Sequence, residues 1–229
     1  MDSIFLTKDP TGQKFLEYLK PHPCYAGLDL ASVSDLTAFV LAWPIKDVVY
    51  TFPWFFIPGE ELPARCRQDS VPYDQWLKAG HIEVTQGNVT DWRYVCRRIK
   101  ELSTVFKIHD IGFDRAGARD IVSDLTDEGI VCTDVSQAMM SLTAPAKRLQ
   151  ELILSTKLVH TGNPILRWNL DCASIYGDSN GNIKVLKPDI GKSSKRIDGI
   201  IALIIAMERL QKAPTQQKSI YSQRGLLKL

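Results

Sequence analysis

Long apolar runs are missing from this chain. The most hydrophobic stretch, Ile200 to Met207, is far short of the ~20 residues that cross a bilayer. The N-terminus lacks the basic-then-apolar pattern of a secretion signal, so a soluble intracellular protein without a membrane partner is expected. Histidine is scarce: His22, His81, His109 and His160 are dispersed. The five cysteines (Cys24, Cys66, Cys96, Cys132, Cys172) form no C-x-x-C pair. That argues against a structural zinc site, and an odd, scattered count fits reduced thiols. A phosphate-binding loop is also lacking. Gly191-Lys192-Ser193 only imitates its end, because Leu186 stands where the first glycine belongs and Pro188 and Asp189 lie within the loop. Gly117 and Gly129 frame a helix rather than a dinucleotide fingerprint. The net charge of +2 gives no global basic field, so any nucleic-acid binding must use basic residues gathered on one face.

What remains is the composition of an ordinary globular domain, 45% hydrophobic and 24% charged over 229 residues. Residues 1–23 end in Pro21-His22-Pro23 and are expected to be a lead-in or linker. The domain is expected over 24–210, followed by a polar tail at 211–229. Its first strand, Tyr25 to Ala31, is apolar apart from one acid. Leu36–Trp43 and Val48–Ile57 are rich in strand formers, with a turn at Pro44–Asp47 between them. Three closely linked strands predict an antiparallel meander. Short helices are expected at 60–68 and 73–79. An amphipathic helix should run from an Asp91 cap to Phe106, with Val95, Ile99 and Leu102 at helical spacing. Strand 108–113, helix 116–128 and strand 130–134 follow. A helix is expected to open at Thr143-Pro145 and run to Ser155, then a helix at 163–173, a hairpin turning at Asp178–Gly181, and a last helix at 197–210. This order predicts an α/β fold, a central mixed sheet with helices on both faces, in the order of a ribonuclease H-like domain.

Three acids stand out. Asp29 lies between Leu28 and Leu30, and Gly27 beside it permits close backbone approach. Asp114 ends the apolar run Ile111-Gly112-Phe113. Asp198 opens the most hydrophobic helix, among Ile197, Ile200 and Ile201. A carboxylate in apolar surroundings is costly unless paired or bound to a cation. Three of them on separate core elements suit a site for Mg²⁺ or Mn²⁺, with two ions expected, because these cations prefer oxygen ligands. Two-metal hydrolysis of a phosphodiester would use Asp29 as the bridge, with Asp114 and Asp198 each completing one ion. Each acid also has a structural explanation: an ion pair of Asp114 with Arg115, a helix-dipole role for Asp198, a turn cap through Ser32 or Ser34 for Asp29. Asp35 is better explained as a turn residue.

The basic run Lys184, Lys187, Lys192, Lys195, Arg196 directly precedes Asp198 and is the candidate DNA-phosphate grip. Lys195 is also placed to orient an attacking water or offset charge in the transition state. Arg97, Arg98 and Lys100 are better explained as a solvated helix face. The five tryptophans are expected in the core or at interfaces rather than as base-stacking platforms.

The run Gly27-Leu-Asp-Leu-Ala-Ser-Val-Ser-Asp-Leu-Thr-Ala38 resembles the first nuclease motif of tailed-phage terminase large subunits, and Gly112-Phe-Asp-Arg115 resembles the second. Gly162–Asn169, Gly181–Lys184 and Lys195–Leu203 resemble the end of the same domain. The likeness covers nearly all of 24–210. It implies a C-terminal nuclease, with Asp29, Asp114 and Asp198 as metal ligands, that cuts concatemeric double-stranded viral DNA in the host cytoplasm. It further implies an N-terminal ATPase domain of the same subunit, a small terminase subunit and a portal protein as partners. Two alternatives stay open: another ribonuclease H-like nuclease of resolvase or transposase type, and a non-catalytic DNA- or portal-docking module.

Overall fold

The structure, a computed structural model, describes residues 12–30, 36–60, 62–115, 118–188 and 195–213. It begins with a short helix, α1 (Gln13–Leu19), in the stretch expected to be a lead-in. Phe15 and Leu19, one turn apart, are fully buried, so packing starts before residue 23. A helix of seven residues is too short a pattern to announce itself in sequence.

The expected meander follows. Strands β1 (Pro23–Asp29), β2 (Thr37–Ile45) and β3 (Val48–Pro58) pair antiparallel, β1 with β2 from Tyr25–Ala42 to Asp29–Ala38, and β2 with β3 from Thr37–Phe56 to Ile45–Val48. Lys46 takes φ 59° in the two-residue turn, the left-handed conformation a tight hairpin demands. Pro44, expected in the turn, belongs to β2 and pairs with Val49. The β1 side of the ladder has already ended at Ala42, so no neighbour there needs the amide hydrogen that proline lacks.

Helices α2 (Leu62–Asp69) and α3 (Tyr73–Lys78) and strand β4 (Glu83–Thr85) form the excursion after the meander. Helix α4 (Trp92–Val105) is capped as expected, with the Asp91 carboxylate accepting from the Arg93 amide at 2.9 Å. Then come β5 (Lys107–Phe113), α5 (Arg119–Asp127), β6 (Cys132–Asp134), α6 (Met139–Leu154), β7 (Leu158–His160), α7 (Pro164–Asp171), the hairpin β8 (Ser174–Gly177) and β9 (Ile183–Leu186), and α8 (Asp198–Gln211). Helix α6 starts four residues before Thr143, and Pro145 lies within it. The carbonyl deprived of its helical bond is that of Ser141, which is exposed, so water can serve it.

Among the described residues the main sheet has seven strands in the order β4-β3-β2-β1-β5-β6, with β7 beside β3. Strands β5 and β6 run parallel to β1. The outer edge of β3 carries two short strands end to end, β7 along Val49–Thr51 and β4 along Phe56–Pro58. Side chains alternate across the sheet, so two cores form. Ala38, Val40 and Phe55 face α6, α7 and α8 on one side. Leu28, Phe39, Trp43 and Trp54 face α1, α4 and α5 on the other. The ribonuclease H-like architecture, a mixed sheet with helices on both faces, is as expected. Trp43 and Trp54 lie in the core, and Trp76, Trp92 and Trp168 pack against it.

Candidate metal centre

Two glycines set helix α8 directly on the sheet. A Cβ at Gly27 would stand 1.9 Å from the Ala202 carbonyl oxygen and 2.7 Å from the Ala206 nitrogen. A Cβ at Gly112, in the adjacent strand β5, would meet Ile205 at 2.6 Å and Arg209 at 2.8 Å. Both positions therefore face α8. Asp29 and Asp114 each come two residues later, and the period of two returns their side chains to that same face. Strands β1 and β5 are parallel and in register at Leu28–Phe113, so the two acids follow side by side at the carboxyl edge of the sheet. The same three-residue unit, glycine then a large apolar residue then aspartate, thus occurs twice. Its glycine admits the helix, and its aspartate lies beyond it on the helix side.

Helix α8 crosses the strands obliquely and brings the third acid to this edge. Near its C-terminal end Arg209 pairs with Asp110 in β5 at 3.2 Å. At its N-terminal end Gly199 lies against the ring of Phe55, 2.7 Å from where a Cβ would be. Phe55 pairs with Ala38, and Ala38 with Asp29, so the first turn of α8 sits over the cross-strand row of Asp29. Asp198 opens that turn and is buried, 7% exposed, whereas Asp29 and Asp114 are half-buried. Among the described residues, no three His, Cys, Asp or Glu side chains close on one point tightly enough to hold an ion by themselves. The three aspartates share an edge, the arrangement suited to magnesium-type ions that take one or two carboxylates and complete their shell with water and phosphate. The donor set, all hard oxygen, fits such an ion.

Arg115, the partner that the structural alternative assigned to Asp114, pairs with Asp134 at 2.6 Å. Asp134 ends β6 in register with Phe113, so it lies at the same edge but on the opposite face of the sheet from Asp29 and Asp114. The proposed turn cap of Asp29, Ser32 or Ser34, and Asp35 lie outside the described residues.

The basic run divides. Lys184 is half-buried on β9 and pairs across the hairpin with Tyr176. Its neighbours Ile183 and Val185 pack toward the core under α6, so alternation turns Lys184 to the opposite face. Lys187 follows the strand, half-buried. Lys195 is half-buried three residues before Asp198, and Lys192 lies outside the described residues. Arg196 was expected to grip phosphate and does not face solvent. It is 7% exposed, and its guanidinium donates to the Asp69 carboxylate at 3.1 Å. Tyr73 donates to the other Asp69 oxygen at 2.7 Å. Burial and the adjacent Asp69 carboxylate push the Tyr73 phenol well above its usual range, with Arg196 opposing the shift, so the hydroxyl remains a donor. A cation embedded in a basic run reads as surface; only a partner 127 residues away in sequence reveals it as core. On α4, Arg98 pairs with Glu83 and Glu101 and Lys100 with Glu128, while Arg97 lies over the Tyr94 ring. His109 stacks on Tyr25, away from the three acids, as a packing histidine does.

The description "Terminase large subunit, endonuclease domain" matches residues 17–213. The chain belongs to this terminase endonuclease family. It is 30% identical over 200 residues to the terminase large subunit of Enterobacteria phage HK97, covering 86% of this chain and 39% of that protein. It is 28% identical to Protein YmfN of Escherichia coli K12, covering 85% of this chain and 44% of that one. The crystal structure of the HK97 large terminase superposes with TM-score 0.75 at 29% identity, over 86% of this chain and 42% of that one. The large terminase nuclease of thermophilic phage G20c with bound magnesium superposes with TM-score 0.53 at 15% identity, over 82% of each chain. That second likeness is one of fold. The terminase endonuclease domain here spans about four-tenths of the length of the curated relatives it matches. Family membership sets aside the resolvase and transposase alternative. None of its described helices is long and apolar enough to cross a membrane.

Proposed function

We propose that this domain is a metal-dependent endonuclease that cuts concatemeric double-stranded DNA during genome packaging, by two-metal phosphodiester hydrolysis. One observation carries the proposal: the repeated glycine-x-aspartate unit of β1 and β5, which sets Asp29 and Asp114 next to each other under the helix that Asp198 opens. Asp29, on the central strand between the other two, is the bridging ligand, and Asp114 and Asp198 each complete one ion. Mg²⁺ or Mn²⁺ held there would supply Lewis-acid stabilisation of the attacking and leaving oxygens. The bound magnesium and bound cobalt of the G20c nuclease support a divalent-ion site in this fold.

The chain's own residues bind and orient. Lys184 and Lys187, with Lys192 from the same basic run, hold the DNA backbone; such contacts position the duplex without reading its sequence. Lys195 offsets charge near the scissile phosphate. The ATPase domain of the same large subunit, the small terminase subunit and the portal would deliver the DNA in the host cytoplasm, and cut-site choice would come from them. The chain is incubated with supercoiled plasmid in Mg²⁺, Mn²⁺ or EDTA. Nicking and linearisation with either metal, abolished by EDTA, is the expected result. An intact plasmid in both metals, from protein shown to be folded, would favour a docking module instead.

A further inference from the structure

Asp198 is held in place by its two sequence neighbourhoods, and neither restraint comes from nearby in the chain. Two residues before it, the buried Arg196 is pinned to Asp69 of α2. Directly after it, the Gly199 amide donates to the Asn169 side-chain oxygen of α7 at 2.8 Å, and Asn169 is fully buried. Gly199 has no room to slide, since the Phe55 ring and that same Asn169 oxygen already stand within 2.8 Å of where its Cβ would be.

A buried ion pair is a poor device for stability alone, because desolvation of both charges offsets their attraction. What such a pair does well is fix geometry. Asp69 is oriented in turn by the Tyr73 hydroxyl, so Arg196 is anchored by two residues of the α2–α3 helix pair. We propose that Asp69, acting through Arg196, and Asn169, acting through the Gly199 amide, are positioning residues that set Asp198 against Asp29 and Asp114 for metal binding. The proposal rests on the assignment of Asp198 as a metal ligand. It predicts that the α2–α3 helix pair is part of the nuclease machinery although it supplies no ligand.

The test uses the whole chain in two variants: Asp69→Leu/Arg196→Met, which removes both charges and so avoids stranding one of them, and Asn169→Leu. Mn²⁺ affinity is measured without turnover, from the paramagnetic resonance of free Mn²⁺. Amide exchange across residues 197–201 is followed alongside, and plasmid cleavage is titrated with Mn²⁺. Arg98→Met, which breaks the remote ion pair with Glu83, is the control for stability loss alone. Both positioning variants are expected to stay folded, to exchange faster at 197–201, and to bind Mn²⁺ about 10- to 100-fold more weakly, the usual cost of losing a residue that orients a ligand. Cleavage should recover at high Mn²⁺, and Arg98→Met should leave the Mn²⁺ affinity unchanged. Folded variants with wild-type Mn²⁺ affinity and metal dependence would overturn the positioning role, reducing the network to packing. Asp198→Asn separates the two levels. If it binds Mn²⁺ as the wild type does, Asp198 is not a ligand and the positioning role falls with that assignment.

Discussion

Gly27→Ala is the smallest change that should damage both the fold and the site. Its new Cβ would meet backbone on α8, the Ala202 oxygen at 1.9 Å and the Ala206 nitrogen at 2.7 Å, and backbone cannot rotate away as a side chain can. Ordinary contact begins near 3.5 Å, so helix and strand must separate by about 1.5 Å, the difference from 1.9 Å. Overpacking of this kind costs about 1–3 kcal/mol, and the backbone clash puts it at the upper end. For a domain of this size each kcal/mol is worth roughly 2–4 °C in Tm, so a drop of about 5–10 °C is expected by calorimetry. The same retreat lifts Asp198 away from Asp29, and a misplacement of ~1 Å at a reacting centre can cost 10²-fold in rate. Cleavage of plasmid, measured well below the new Tm, should therefore fall about a hundredfold. The nearest atoms to a Cβ in Gly112→Ala belong to the side chains of Ile205 and Arg209, which can shift, so it should do less on both counts. Gly129→Ala, at φ +77° in open space, should cost about 1 kcal/mol through backbone strain and leave cleavage intact. A Gly27→Ala protein with wild-type Tm and rate would refute the close packing of α8 on β1, and with it the placement of Asp198.

Lys184→Ala and Lys187→Ala should each lower the slope of log affinity against log salt for duplex DNA by about 1, seen by fluorescence anisotropy across a salt series. Arg196→Ala, by contrast, should leave that slope alone and cost about 3–5 kcal/mol of stability, because it strands the buried Asp69 carboxylate. His160 gives a pH signature. Its Nδ1 accepts from the Gly162 amide, and burial first, then the Arg167 charge, lowers its pKa below the ordinary 6.5. The unfolded chain therefore takes up the proton more readily. The stability contribution is intact above about 6.5, falls as the pH drops from there toward the lower folded value, and is fully lost below it. His160→Asn keeps an acceptor without the titration, so its Tm should fall less than the wild type's between pH 7 and 5; equal falls would assign the pH dependence elsewhere.

Much of the sheet could be read in advance because its signals are local. Three strand-forming runs with short links gave the meander, and alternating helical and strand periods gave β5, α5 and β6. The acids were legible for the same reason, as carboxylates misplaced in apolar runs. What escaped depends on distant partners. Strands β4 and β7 have three residues each, too few to alternate, and exist because β3 offers an edge. The burial of Arg196 depends on Asp69, and the capping role of Asn169 on a helix that starts 29 positions later, at Asp198. Gly112 signals little in a strand until Arg209 is seen lying across it.

The central claim is that Asp29, Asp114 and Asp198 jointly hold the ions that cut DNA. Anomalous diffraction from crystals soaked in Mn²⁺ tests it most directly. Two peaks about 3.5–4 Å apart, both touching Asp29, one also touching Asp114 and the other Asp198, are the predicted result. Manganese bound elsewhere on the protein, with no peak at the edge shared by β1, β5 and the first turn of α8, would contradict it.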